Sequence, residues 1–148
     1  MSNGPISIGS IEQFNSLLKS SKIVIADFEA DWCATCKQIA PLYEQLAKSL
    51  SRPNAVTFVK INSDEQPELL NEYGVAGLPT ILIFKNSKLE DTVRGAHPHQ
   101  LSAIVNKLIQ EAGSIELRNI ELLNADKDAG PVRVLSEDVA LEIQKPFT

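Results

Sequence analysis

Hydrophobic and polar positions change period several times along this chain, and each change marks an element. Ile6, Ser7 and Ile8 alternate, which predicts a short strand. From Ile11 to about Ser20 the apolar residues Ile11, Phe14, Leu17 and Leu18 fall on one helical face. Ser10, with Gln13 three residues on, predicts a capping box at that helix's start. Lys22 to Phe28 is a continuous apolar run broken only by Asp27, the pattern of a strand covered on both faces of a sheet. A helical period then begins at Cys33 and is carried by Ile39, Leu42, Tyr43, Leu46, Ala47 and Leu50, with Pro41 inside it.

Val56 to Ile61 predicts a third strand. Pro67 suits the first turn of a short helix that buries Leu69, Leu70 and Tyr73, and Gly74 suits the position after its end. Thr80 to Lys85 and Leu89 to Arg94, parted by a turn at Asn86-Ser87, predict a hairpin. Pro98 opens a last helix that buries Leu101, Ile104, Val105 and Leu108 and stops at Gly113. The order β-α-β-α-β-α-β-β-α predicts an α/β fold, a central mixed five-stranded sheet flanked by helices on both faces. Residues 5–113 make up this unit. Ser114 to Thr148 stand outside its pattern as a C-terminal extension. Ser136 there suits a helix cap, while Val132 and Val134 suit a strand, so the pattern assigns the extension no structure.

Composition narrows the possibilities. A chain of 148 residues with 43% hydrophobic content suits one domain with a sizeable core. A net charge of −5 argues against nucleic-acid binding, which wants a basic surface. The start, Met1 to Pro5, is neither basic nor apolar, and no apolar run approaches the roughly 20 residues that span a bilayer, so neither a secretory signal nor membrane association is expected. Two cysteines cannot build a disulfide framework, which points to a soluble protein of the reducing cytoplasm.

Those two cysteines carry the candidate chemistry. Cys33-Ala34-Thr35-Cys36 sits where the second strand gives way to the second helix, and Cys-x-x-Cys at such a junction reads as a redox pair. Two thiols at that spacing can close a small disulfide ring. The first lies among the unpaired N–H groups of the helix start, which favour a thiolate. A buried structural thiol is the plainer alternative for Cys33, and a metal ligand for Cys36. Zinc and iron–sulfur sites need about four ligands, and the chain supplies two thiolates, so neither metal nor other cofactor is expected. His97 and His99 are two apart, do not share a helix face, and read as a solvated helix start. Asp27 interrupts a run that should be buried, where a carboxyl tends to keep its proton at neutral pH. Such a group is suited to exchanging protons with Cys36, unless it faces a sheet edge while Lys60 reaches solvent.

Taken together, these residues make the chain resemble thioredoxin over residues 5–113. The likeness rests on Asp27-Phe28 ahead of Cys33, Trp32 directly before it, Pro41 in the following helix and Lys60 on the third strand. It continues with Gly77-Leu78-Pro79-Thr80 opening the fourth strand and Gly95-Ala96 after the fifth. The resemblance implies a thioredoxin fold and a thiol–disulfide oxidoreductase that reduces protein disulfides. Cys33 would be the attacking nucleophile, Cys36 the resolving thiol, and Asp27 its proton partner with Lys60 close by. It also implies a cis Leu78-Pro79 bond facing the cysteines, with Leu78 offering backbone groups to substrate. Trp32, Ala34, Thr35, Val75, Ala76, Gly77, Gly95 and Ala96 would form the rim around them. The implied partners are protein disulfides and an NADPH-dependent thioredoxin reductase. A redox sensor, or an adaptor or holdase with a narrow partner set, is the alternative. Three departures encourage it: Ala34-Thr35 where thioredoxin usually carries Gly-Pro, Glu29 where an aromatic or small residue is more usual, and the extension. Thr35 in place of proline frees an N–H and adds a hydroxyl, both able to donate toward the Cys33 sulfur. Such donors stabilise the reduced form, so a less reducing pair is expected.

Overall fold

In the computed structural model, residues 4–112 are described, and the features read in Ser114 to Thr148 lie outside them. Five strands, β1 (Ile6–Ser7), β2 (Ile23–Glu29), β3 (Val56–Asn62), β4 (Thr80–Lys85) and β5 (Lys88–Arg94), form one sheet in the order β1-β3-β2-β4-β5. β1, β3 and β2 run parallel, and β4 and β5 add antiparallel neighbours, so the sheet is mixed. Helices α1 (Ile11–Ser20), α2 (Ala34–Leu50) and α3 (Pro67–Tyr73) alternate with the strands, and α4, residues 98–112, closes the unit.

Both faces of the central strands are apolar, and that explains the unbroken run in β2. Val24, Ala26 and Phe28 pack with Val59 and Ile61 of β3 and Leu82 and Phe84 of β4, under Phe14 and Leu18 of α1 and Leu69 of α3. Strand alternation sends Ile25, Asp27 and Glu29 to the opposite face. There α2 lies on the sheet, with the Tyr43 ring edge-on to Phe58 at 5.6 Å and its hydroxyl aimed at the carbonyls of Ile25 and Val59, 2.8 and 2.7 Å away.

Local chemistry fixes the element ends. Ser10 Oγ accepts the N–H of Gln13, but the Gln13 side chain takes the N–H of Gly9 at 2.6 Å, one residue outside the expected box. α3 ends in a left-handed Gly74 with φ 63°, and its N–H returns to Asn71 and Leu70. Asn86 and Ser87 both take positive φ, 54° and 68°, the sense of twist that joins two antiparallel strands tightly. β2 and β3 each run one residue further than their apolar pattern, because Glu29 and Asn62 remain in register with each other.

Candidate active site

β2 ends at Glu29, and the chain turns through Ala30, Asp31 and Trp32 to reach Cys33, the N-cap of α2. Cys33 and Cys36 form a disulfide with Cα atoms 5.3 Å apart. The N-cap position gives the Cys33 sulfur its donors. Cys36 N–H points at Cys33 Sγ from 3.1 Å, the bond a capping side chain accepts from the third helical residue. Thr35 Oγ1 stands 3.3 Å from the same sulfur and 3.5 Å from the carbonyl oxygen of Leu78. A disulfide sulfur has no proton to give, so the single hydroxyl hydrogen of Thr35 serves one acceptor or the other. The N–H that reaches the sulfur is thus that of Cys36, while Thr35 contributes its hydroxyl.

Both cysteines are buried, each with 5% of its surface exposed, so exposure does not tell them apart in the oxidised chain. Their place on α2 does, since Cys33 caps the helix and Cys36 lies inside it. Ala30 and Leu78 pack against the pair. The Leu78-Pro79 bond is cis. Thr80 Oγ1 donates to the Gly77 carbonyl at 2.6 Å and closes the turn into β4, while Gly95 N–H donates to the Pro79 carbonyl at 2.8 Å. Gly95 has φ 95°, and a Cβ there would come within 3.0 Å of His97 Nε2, so glycine is what this close approach admits.

The rim residues do not all gather at the sulfurs. Trp32 is 70% exposed and its indole N–H donates to Asp64 Oδ2 at 2.9 Å. Asp64 is in turn set by Asn62, whose side-chain oxygen accepts the N–H groups of Asp64 and Glu65. Ala34, Thr35, Ala76 and Gly77 are exposed, and Ala96 is half-buried beside Gly95. Val75 packs against the core shared with α1 and α3. A cleft of about 220 Å³ runs past Leu78, Pro79 and Gly95 to Leu89 and Arg94, and the sulfurs do not line it.

Asp27 is 3% exposed, and its Oδ1 has no hydrogen-bond partner among the described residues. Its carboxyl is pushed up to about 7, by burial first and then by the Glu29 carboxylate, with Lys60 pulling the other way. Lys60 lies beside Asp27 in the parallel register, yet its ammonium is 3.6 Å from Glu44 Oε2 of α2. Glu29 is half-buried and its carboxyl is likewise raised, by burial first. Three of these residues escaped the sequence as site residues. Glu29 carried a signal in its spacing of two from Asp27, whereas Glu44 and Asp64 carried none. Among the described residues no helix is long and apolar enough to cross a membrane, and no three His, Cys, Asp or Glu side chains gather as metal ligands.

Such an arrangement trades one disulfide for another. A sulfur at a helix tip can attack, a second sulfur within bonding reach can release what was captured, and a fixed loop faces both. That defines a thiol–disulfide oxidoreductase on the thioredoxin fold. Comparison with known proteins agrees. The family model described as thioredoxin matches residues 6–110. The thioredoxin of Neurospora crassa is 42% identical over 113 residues, covering 73% of this chain and 89% of that one. A thioredoxin-like protein of Fusarium culmorum is 39% identical over 106 residues, covering 68% and 88%. Among solved structures, Malassezia sympodialis thioredoxin superposes with a TM-score of 0.64 at 35% identity, over 72% of this chain and 93% of that chain. Trypanosoma brucei brucei thioredoxin gives 0.68 at 29%, over 74% and 95%. The chain belongs to the thioredoxin family and is a protein-disulfide reductase.

Proposed function

We propose that Cys33 is the nucleophile and Cys36 the resolving thiol of a general dithiol reductant. The observation that carries this reading is the pair of donors, Cys36 N–H and Thr35 Oγ1, placed on Cys33 Sγ at the helix start. In the reduced chain those donors stabilise negative charge on Cys33, which lowers its pKa and supplies thiolate at neutral pH. Cys33 attacks a protein disulfide and one half of the target leaves as a thiolate. Cys36 then attacks Cys33, the intramolecular disulfide closes, and the second target thiolate is released. Cys36 must lose a proton to do so, and Asp27, buried and titrating near neutral pH, is suited to take it, with Lys60 moderating its charge.

Trp32, Ala34, Thr35, Gly77, Leu78, Pro79, Gly95 and Ala96 form the docking rim, joined at its margin by Val75, with Leu78 packed against the cysteine pair. Electrons come from a reductase that draws on NADPH, the compartment is the cytoplasm, and residues 5–113 carry the activity. Insulin reduction driven by dithiothreitol tests the central claim. Cys33→Ser is expected to abolish it, and Cys36→Ser, mixed with a disulfide target without dithiothreitol, to accumulate a target-linked species that mass spectrometry detects. A Cys33→Ser variant as active as the parent would instead favour an adaptor or holdase. Failure to couple to a thioredoxin reductase with NADPH would favour a redox protein of narrow partner set.

A further inference from the structure

Asp27 and Glu29 are two apart on β2, so their side chains share the face that α2 covers, roughly 7 Å apart along the strand. In the parallel register Asp27 lies beside Lys60 and Glu29 beside Asn62, so one cation stands next to the two acids. That cation is already engaged by Glu44 of α2 at 3.6 Å. Among the described residues Lys60 is the one cation that acts on these two acids. Asp31 and Glu65 act on Glu29 as further acids. Tyr43, reaching in from α2, spends its hydroxyl on the Ile25 and Val59 carbonyls. On the other side, β4 sets Ile81 against Asp27. Asp27 is enclosed with an unpartnered oxygen, whereas Glu29 sits half-buried at the strand's end.

We propose that Glu29 is a positioning residue for the exchange reaction: its carboxylate, two residues along the same face of β2, acts on the buried Asp27 carboxyl and so sets whether that carboxyl is free to take the Cys36 proton. The inference rests on the reading of Asp27 as the proton partner of Cys36. In that step the Cys36 S–H proton passes to the Asp27 carboxylate and the Cys36 sulfur bonds to Cys33. The bond between Cys33 and the target breaks, and its electron pair leaves on the target sulfur, which takes a proton from water. Over attack and resolution together the chain loses two electrons and the target disulfide gains two. Asp27 can accept only when it is itself unprotonated, and the Glu29 charge moves that condition upward in pH. The electrostatics agree in sign, for Glu29 is the largest cause after burial that raises Asp27, ahead of the opposing pull of Lys60.

The test uses the full-length reduced protein, with the Asp27 and Glu29 carboxyl carbons followed by NMR through a pH titration, and with the pH profile of the resolution rate measured on the Cys33 mixed disulfide. In the unmodified chain the Asp27 carboxyl is expected to titrate near neutral pH. Glu29→Gln is expected to lower the Asp27 midpoint by roughly half a unit to one unit, the size of a unit charge about 7 Å away in partly wet protein, and to move the rate profile down with it. Glu29→Asp, which keeps the charge, is expected to leave both near the parent values. Asp27→Asn is expected to remove the limb of the profile that Glu29→Gln displaces. An Asp27 midpoint unmoved by Glu29→Gln, with a profile still sensitive to Asp27→Asn, removes Glu29 and leaves the reading of Asp27 standing. A midpoint that moves while the profile is indifferent to both variants overturns the reading of Asp27 and this inference together.

Discussion

A carboxyl enclosed beneath a helix destabilises the fold around it whenever it is charged, and Asp27 is such a group. An unfolded aspartate gives up its proton near 3.8, while the folded chain holds it to about 7, so between those values the folded state binds more protons. Stability therefore falls as pH rises through that window, and above it the penalty is complete and constant. The three-unit interval corresponds to about 4 kcal/mol as an upper figure. Asp27→Asn keeps the shape and removes the charge, so the oxidised variant is expected to exceed the parent at pH 8 by about 2–4 kcal/mol. The advantage should shrink toward pH 4–5, where the parent carboxyl is neutral. Urea unfolding at both pH values checks this, and an equal gain at the two would mean that packing, not charge, separates the variants. The proton transfer proposed above for Asp27 would give a reason for a carboxyl held at that cost to stability.

At the scale of one element, the first turn of α2 holds the departure that sets this chain apart, Ala34-Thr35 between the cysteines. Thr35 Oγ1 stands 3.3 Å from Cys33 Sγ, so reduction offers its hydroxyl a thiolate to bond, and a hydrogen bond to a charged group contributes about 1.5–3 kcal/mol. Since about 1.4 kcal/mol corresponds to ~30 mV for a two-electron couple, Thr35→Val is expected to make the potential more negative by roughly 30 mV. Titration in glutathione buffers reads the shift, and an unchanged or less negative potential would assign the hydroxyl to Leu78 alone. The element itself was legible: the period from Ile39 to Leu50 marked the helix, and Cys33 at its tip marked the site. Which N–H meets the sulfur was not, because cap geometry brings the third helical residue, Cys36, to the capping atom, while the sequence drew attention to the residue in proline's place. Val75 was legible as apolar but not as packed against the core, since an irregular loop has no period to say which way a side chain turns. Asp64 was beyond reach altogether. Only the crossover through α2 and β3 brings it to Trp32, half a sheet away in sequence.

For the whole molecule, the question is what the extension adds to a unit that already has its core. Among the described residues the buried apolar side chains run from Ile8 to Leu108, and the thioredoxin family model ends at residue 110. A sizeable apolar core thus lies before Ser114. What Ser114 to Thr148 does add is charge: seven of the nineteen acids and four of the fourteen bases, so that removing it takes the net charge from −5 to −2. Charge acts over a Debye length of about 8–10 Å at ordinary salt and is screened above it. A chain cut after Gly113 is therefore expected to unfold cooperatively with a melting temperature within a few degrees of the parent. Its insulin turnover should stay within about twofold, and any remaining difference should vanish in about 0.5 M salt. Turnover reduced more than tenfold, or a difference that persists at high salt, would show that the extension supplies contacts rather than charge, and the activity would then belong to the full chain. Calorimetry and the insulin assay on the same preparation separate the two, because lost stability moves the first readout and lost docking only the second.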